Sequence, residues 1–154
     1  MSLKKQYLFV SLIFMVFAIN SQNNNDEKQI LYHGEVVRKA FSEADVEKIR
    51  LLHHPNVIKA LDYNDIKEGR RAVIEALLEV LDNFNLEFIE NNVESILLNG
   101  DIAIEQTRFS IKGTPKKGGK PFIFSGRTMV TYVKYDKSPT GWATIREIIQ
   151  PAVE

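Results

Sequence analysis

The chain has 154 residues, enough for one domain, and its 44% apolar and 26% charged residues are the composition of an ordinary folded protein. Twenty basic and twenty acidic side chains leave no net charge, and no lysine- or arginine-rich block stands out, so nucleic acid and anionic membrane surfaces are not expected partners. The absence of cysteine excludes disulfides, thiol catalysis and a lipidated cysteine anchor.

Residues 1–21 read as a secretory signal. Lys4 and Lys5 form a positive start, Tyr7 to Ile19 a thirteen-residue apolar core, and Ser21 is a small residue before a cleavage at Gln22. A membrane-spanning helix needs about 20 apolar residues, so the run is expected to be a signal and not an anchor. Residues 22–27 then form a polar spacer and 28–154 the domain. The expectation is an exported protein, periplasmic or extracellular, with no membrane attachment after cleavage; without Lys4 and Lys5 it carries eighteen basic and twenty acidic groups.

Asp26 with Gln29 three residues on has the spacing of a capping box that opens a first helix. Ile30, Leu31, Val37, Ala40 and Phe41 form its apolar stripe. Gly34 inside that helix costs about 1 kcal/mol relative to alanine, a cost best understood if another element packs closely there. A short second helix, begun at Ser42 or Glu43, carries Val46, Ile49 and Leu52, and Pro55 follows it. Val57 to Leu61 is strand-like, Asp62 to Asp65 a loop. The third helix has Val73, Ile74, Leu77, Leu78 and Leu81 on one side and Arg70, Arg71, Glu75 and Glu79 largely on the other.

From Asn85 the period becomes two, and four antiparallel strands are expected. Asn99–Gly100 marks a two-residue hairpin that would set Leu98 opposite Asp101 and Glu94 opposite Glu105. Gly113 to Lys120 and Asp136 to Gly141 supply the next two turns, and the chain closes on the apolar stretch Gly141 to Ala152, which nevertheless carries Arg146 and Gln150. Helices first and strands last make this an α+β chain.

No motif calls for a cofactor or a metal. His33 and the His53–His54 pair lack ligand spacing and are expected at the surface, in loops or at helix ends. Gly118–Gly119 lies between strands and so is no phosphate loop, and Ser125–Gly126 lies within a strand and so is no nucleophile elbow. Glu94 facing Glu105 would have the form of a proton-sharing carboxylate pair, or of two solvated side chains.

The element order, with Gly69–Arg70 opening the third helix, Ser125–Gly126–Arg127 on a long strand and Trp142 to Glu147 on the last, resembles the SnoaL-like branch of the nuclear-transport-factor-2-like superfamily. The resemblance covers Lys28 to Ala152. It implies a strongly bent antiparallel sheet wrapped around three amino-terminal helices as a cone, with a pocket at the open end. Members include ketosteroid isomerases, polyketide cyclases, dehydratases and non-enzymes, so the fold leaves the activity undecided.

Alignment with the isomerases implies that Ile104, Gln106 and Arg108, then Arg127, Met129, Thr131 and Val133, then Thr144, Arg146, Ile148 and Gln150 face into the cone. With Tyr135 set opposite Trp142, Arg146 falls across from Thr131 and Gln150 from Arg127. Gln106, Arg108, Arg127, Met129, Thr131, Arg146, Ile148 and Gln150 would then line a pocket for a small, partly apolar anion, gripped by three arginines. Two alternatives stay open. The arginines pair outward with Glu147, Glu105 or Asp62, or one bulge inverts the faces.

The isomerases' tyrosine and sheet acid fall on Val37 and Thr131, and their base near Leu61 or Asp62, so a steroid-type isomerase is not expected. A cyclase, dehydratase or hydrolase using Asp62 as general base is one alternative to simple ligand binding; a dimeric interaction module with a plugged cone is another. On the implied outer face Phe88, Phe109, Ile111, Phe122, Phe124, Val130 and Tyr132 would need cover, which a second copy packed through the sheet would supply. If these aromatics instead fill the core, the two faces are exchanged.

Overall fold

The structure, a computed structural model, describes residues 25–152. The expected signal and residues 22–24 of the spacer lie outside the described residues. The elements are α1 (25–42), α2 (Val46–Leu52), β1 (His53–Asp62), β2 (Asp65–Glu68), α3 (Gly69–Asn83), β3 (Phe84–Asn99), β4 (Ile102–Pro115), β5 (Phe122–Lys134) and β6 (Trp142–Pro151). Asp26 falls within α1 and so does not cap it; its carboxylate faces Lys134 Nζ at 3.7 Å.

Local chemistry accounts for most boundaries. Asp45 caps α2 by accepting from Lys48 N–H at 3.0 Å. Gly69, with φ +80°, turns β2 into α3, which buries Val73, Ile74 and Leu81. The β3–β4 hairpin closes on Gly100–Asp101 and not on Asn99–Gly100, so Asn99 pairs with Ile102. Gly100 has φ +59° at the first loop position while Asp101 stays at negative φ, the pattern of a type II′ turn.

The sheet has six strands in the order β2-β1-β6-β5-β4-β3, and β1 runs parallel to β6. The mixed sheet departs from the antiparallel expectation because β1 and β2 form their own hairpin, whose first strand docks beside the last strand of the chain. α3 touches β1 and β2 at one sheet edge and β3 at the other, so the sheet curls around it. Ile30 of α1 packs with Ala103, Val130, Tyr132 and Trp142 in one core cluster; Ala40 joins Ile49, Leu52, Ile74 and Leu81 in another.

The curl decides which face is inside, and it is the opposite of the one the alignment implied. Glu105, Thr107 and Phe109 of β4 and Thr128, Val130 and Tyr132 of β5 point inward. Phe88, Ile111, Phe122 and Phe124 line the interior with them, so the aromatic residues expected outside belong to the concave side. In β6 a bulge at Ile145 shifts the pairing between Tyr132↔Thr144 and Thr131↔Arg146. Thr144 therefore faces in, Arg146 faces out, and Glu147 and Ile149 face in again.

Candidate functional site

Between the two core clusters lies a cavity of about 380 Å³, walled by α1, α3 and the concave side of the sheet. Phe41, Leu77, Phe88, Phe109, Phe124 and Ile149 give it an apolar wall. Phe122 and Val80 are exposed and mark its mouth, whereas Glu105, Thr107, Tyr132 and Thr144 are buried at the other end.

Four charged side chains reach this interior: Arg38 from α1, Lys59 from β1, Glu105 from β4 and Glu147 from β6. Lys59 and Glu147 are cross-strand partners and form an ion pair with N···O 2.5 Å. Thr128 Oγ1 donates to Glu147 Oε1 at 3.3 Å, and Lys59 Nζ sits 5.5 Å from the centre of the Phe41 ring. Glu105, 2% exposed, accepts from Thr107 Oγ1 at 2.7 Å through Oε1, while its Oε2 is buried with no partner among the described residues. Burial raises the Glu105 pKa, against the hydrogen bond from Thr107 and the charge of Arg38.

None of the expected anion-pocket residues lines this cavity. Gln106, Arg108, Arg127, Met129, Thr131, Arg146, Ile148 and Gln150 all sit on the other face, Met129 and Ile148 being 49% and 60% exposed. The predicted neighbours Thr131↔Arg146 and Arg127↔Gln150 are nonetheless paired. The inward placement is corrected because a strand's alternation has two phases, and the phase that buries Phe109, Val130 and Tyr132 puts the guanidinium groups outside.

Out there each arginine has partners. Arg127 holds Glu94 through Nε at 2.7 Å and Nη2 at 2.9 Å, and with Gln106 Nε2 it brings the Glu94 pKa down to about 2. Arg108 Nε lies 3.4 Å from Glu90, and Arg146 Nη1 donates to the carbonyls of Asn56 and Ile145. Arg108, Arg127 and Gln150 do come together, around a second, more open cavity of about 570 Å³ that Glu90 also lines. Glu94 lies in a bulge between Val93 and Ser95, and Ile96 is the residue opposite Glu105, so the two glutamates do not share a proton.

Asp62, the expected general base, is exposed at the β1–β2 turn, where it accepts from the Tyr63 backbone N–H at 2.5 Å; its neighbour Leu61 is the one that lines the cavity. The histidine expectation also changes. His33 is buried against the Tyr132 ring at 4.8 Å and donates Nδ1–H to Thr140 Oγ1 at 2.6 Å, Thr140 giving its own proton to Trp142 O. His53 is buried at the end of α2 and donates Nδ1–H to Ile49 O at 2.7 Å. Burial lowers the His33 pKa to about 4 and also lowers that of His53. No signal in the sequence distinguished Glu105 and Lys59 as inward residues, since each looks like an ordinary charged strand position.

No protein-family model matches the chain, and no curated protein does. Solved structures do. A conserved protein from Planctomyces limnophilus superposes with a TM-score of 0.75 at 19% identity, over 84% of this chain and 99% of that one. A nuclear transport factor 2 (NTF2-like) superfamily protein from Salmonella enterica serovar Typhimurium gives 0.71 at 14%, over 86% and 94%. This chain has the NTF2-like fold. A ketosteroid isomerase-like protein from Erwinia carotovora atroseptica gives 0.69 at 14% identity, over 81% and 95%. At these identities the NTF2-like fold is what is shared, and the chemistry inside the curl has to be read from this chain's own residues.

Proposed function

We propose that this NTF2-like protein binds an apolar small molecule inside the curled sheet. The observation that supports it is the cavity of about 380 Å³, walled by phenylalanine and aliphatic side chains and open past Phe122. The three arginines expected to grip an anion lie outside it, and inside it the cations Arg38 and Lys59 are matched in number by Glu105 and Glu147, so the apolar wall is what selects the ligand. Free volume among Phe88, Phe109 and Phe124 argues against the plugged interaction module, and the solvent position of Asp62 argues against the hydrolase or dehydratase mechanism built on it. The test is titration with the neutral dye N-phenyl-1-naphthylamine. Saturable enhancement at one dye per chain is expected, and Ile111→Trp, which fills the lining, should weaken it at least about tenfold, about 1.4 kcal/mol. Unchanged emission, or equal binding by the variant, refutes the proposal.

Export remains proposed on Lys4, Lys5 and the Tyr7 to Ile19 run, and is tested by fractionating cells that express the full chain. A homodimer through the sheet is proposed on different residues from those first expected. Ile66, Ala60, Ile148 and Met129 lie in one cross-strand row on the convex face, with Ile66 55% exposed. Met129→Glu should convert a dimer to a monomer in sedimentation analysis; a wild-type monomer would rule the dimer out.

A further inference from the structure

Gly34 sits on the cavity-facing side of α1, and the space where its side chain would stand is flanked by two charged groups. A Cβ built there would lie 3.0 Å from Arg38 Nη1 and 3.5 Å from Glu105 Oε2. No ion pair joins Arg38 to Glu105, and Oε2 is the buried carboxylate oxygen without a partner. Lys59, the other cation of the interior, is taken up by Glu147. The buried end of the cavity therefore presents one acceptor and one donor across a gap kept open by a glycine. Buried carboxylate oxygens are normally hydrogen-bonded, so a bare one facing a cavity calls for a partner.

The chemistry of that partner follows from what each group offers. Nη1–H only donates, and an ionised Oε2 only accepts. A hydroxyl oxygen does both, taking a hydrogen bond from Arg38 and giving one to Glu105. A ketone has nothing to give Oε2, a carboxylate is repelled by it, an ammonium meets Arg38, and a hydrocarbon leaves both groups bare. Were Glu105 protonated, its O–H would donate to the ligand oxygen and a ketone or carboxylate would serve as well, so the preference for a hydroxyl belongs to the ionised form.

We infer that the cavity recognises a hydrophobic alcohol or phenol, with the hydroxyl seated over Gly34 between Arg38 Nη1 and Glu105 Oε2. The inference rests on the apolar-ligand reading of the cavity and adds the polar group of the ligand. It also gives Gly34 a use that offsets its cost in the helix, since any side chain at that position would occupy the seat.

Competition against N-phenyl-1-naphthylamine with 2-naphthol, naphthalene and 2-naphthoate tests it. Hydrophobicity alone ranks naphthalene first. On the wild type 2-naphthol should instead bind at least about tenfold tighter than naphthalene, a difference of about 1.4 kcal/mol, and 2-naphthoate should be the weakest. Glu105→Leu should bring 2-naphthol and naphthalene within about twofold of each other while naphthalene binding is retained. Gly34→Ala should do the same without changing any charge, and it serves if Glu105→Leu does not fold. If 2-naphthol and naphthalene compete equally on the wild type, the hydroxyl seat is refuted and the apolar cavity stands. Preference for 2-naphthoate, or a 2-naphthol preference that both variants keep, also overturns the seat. If no naphthalene derivative displaces the dye, the cavity reading falls and takes the seat with it.

Discussion

Removing either partner of the Lys59–Glu147 pair should cost far more than removing both. The two residues face each other across the parallel β1–β6 junction at 2.5 Å, with side chains only 11% and 15% exposed. At an effective dielectric constant of about 20 their attraction is roughly 6–7 kcal/mol, and the desolvation of two ions offsets most of it. Glu147→Leu leaves Lys59 charged beside Phe41 with no counter-ion, and Lys59→Met leaves Glu147 with only the Thr128 hydroxyl. Each single variant should lose about 3 kcal/mol, the low end for a broken buried pair because some solvent reaches both groups. In a domain of this size that is a fall in Tm of roughly 10 °C. The double variant should return to within about 1 kcal/mol of wild type. Urea unfolding of the four proteins, followed by circular dichroism at neutral pH, gives the coupling energy directly. Singles costing under about 1 kcal/mol, as exposed pairs do, or losses that simply add in the double, would refute the buried-pair reasoning.

Other expectations follow from single contacts. His33 is lowered to about 4 from 6.5 by burial, so the unfolded chain takes up a proton that the folded one refuses. The stability it leaves intact above pH 6.5 should be lost as pH falls toward 4, by up to about 3 kcal/mol for this group. His33→Phe should flatten that slope in urea titrations between pH 7 and 4.5; an unchanged slope counts against it. Gly126→Ala drives a Cβ to 2.5 Å from the Gln150 carbonyl, whereas at Gly113 the new Cβ meets the exposed, rotatable ring of Phe122. Gly126→Ala should therefore destabilise by about 1–3 kcal/mol or more and Gly113→Ala by less; the reverse order in thermal melts would contradict the geometry. Arg127→Ala removes the solvent-facing pair with Glu94, should barely change stability because water screens the pair and should leave dye binding intact. Loss of dye binding in Arg127→Ala would put that residue inside and overturn the face assignment.

The helices and the four long strands were legible because their signals are local: the stripe Val73, Ile74, Leu81, and the turns around Gly100 and Gly141. The phase of the strands was not. Along β5 both alternations mix apolar and polar groups, Phe122, Phe124, Thr128 and Tyr132 on one side and Ile123, Arg127, Met129 and Val133 on the other, so composition does not choose between them. The pairing of Arg146 with Thr131 emerged from two compensating errors. Trp142 pairs with Lys134 and not with Tyr135, and the bulge at Ile145 restores the one-residue difference. β2 was missed because Asp65-Ile66-Lys67-Glu68 is short and mostly charged, and its partner β1 owes its place to a strand some 90 residues later. The polar end of the cavity combines both difficulties. Glu105 was hidden by the phase of β4, and the Lys59–Glu147 pair by a non-local junction.

That junction also sets an order of events in folding. Ile58 pairs with Arg146 and Ala60 with Ile148, so β1 acquires its second neighbour only when the carboxy-terminal strand arrives. The β3–β4 and β4–β5 hairpins can close early on their own turns, whereas the β1–β6 seam closes a loop most of the domain long and pays that entropy last. Until that seam closes, Lys59 and Glu147 are not brought together and the wall they form is incomplete. The cavity is thus the final part of the molecule to exist.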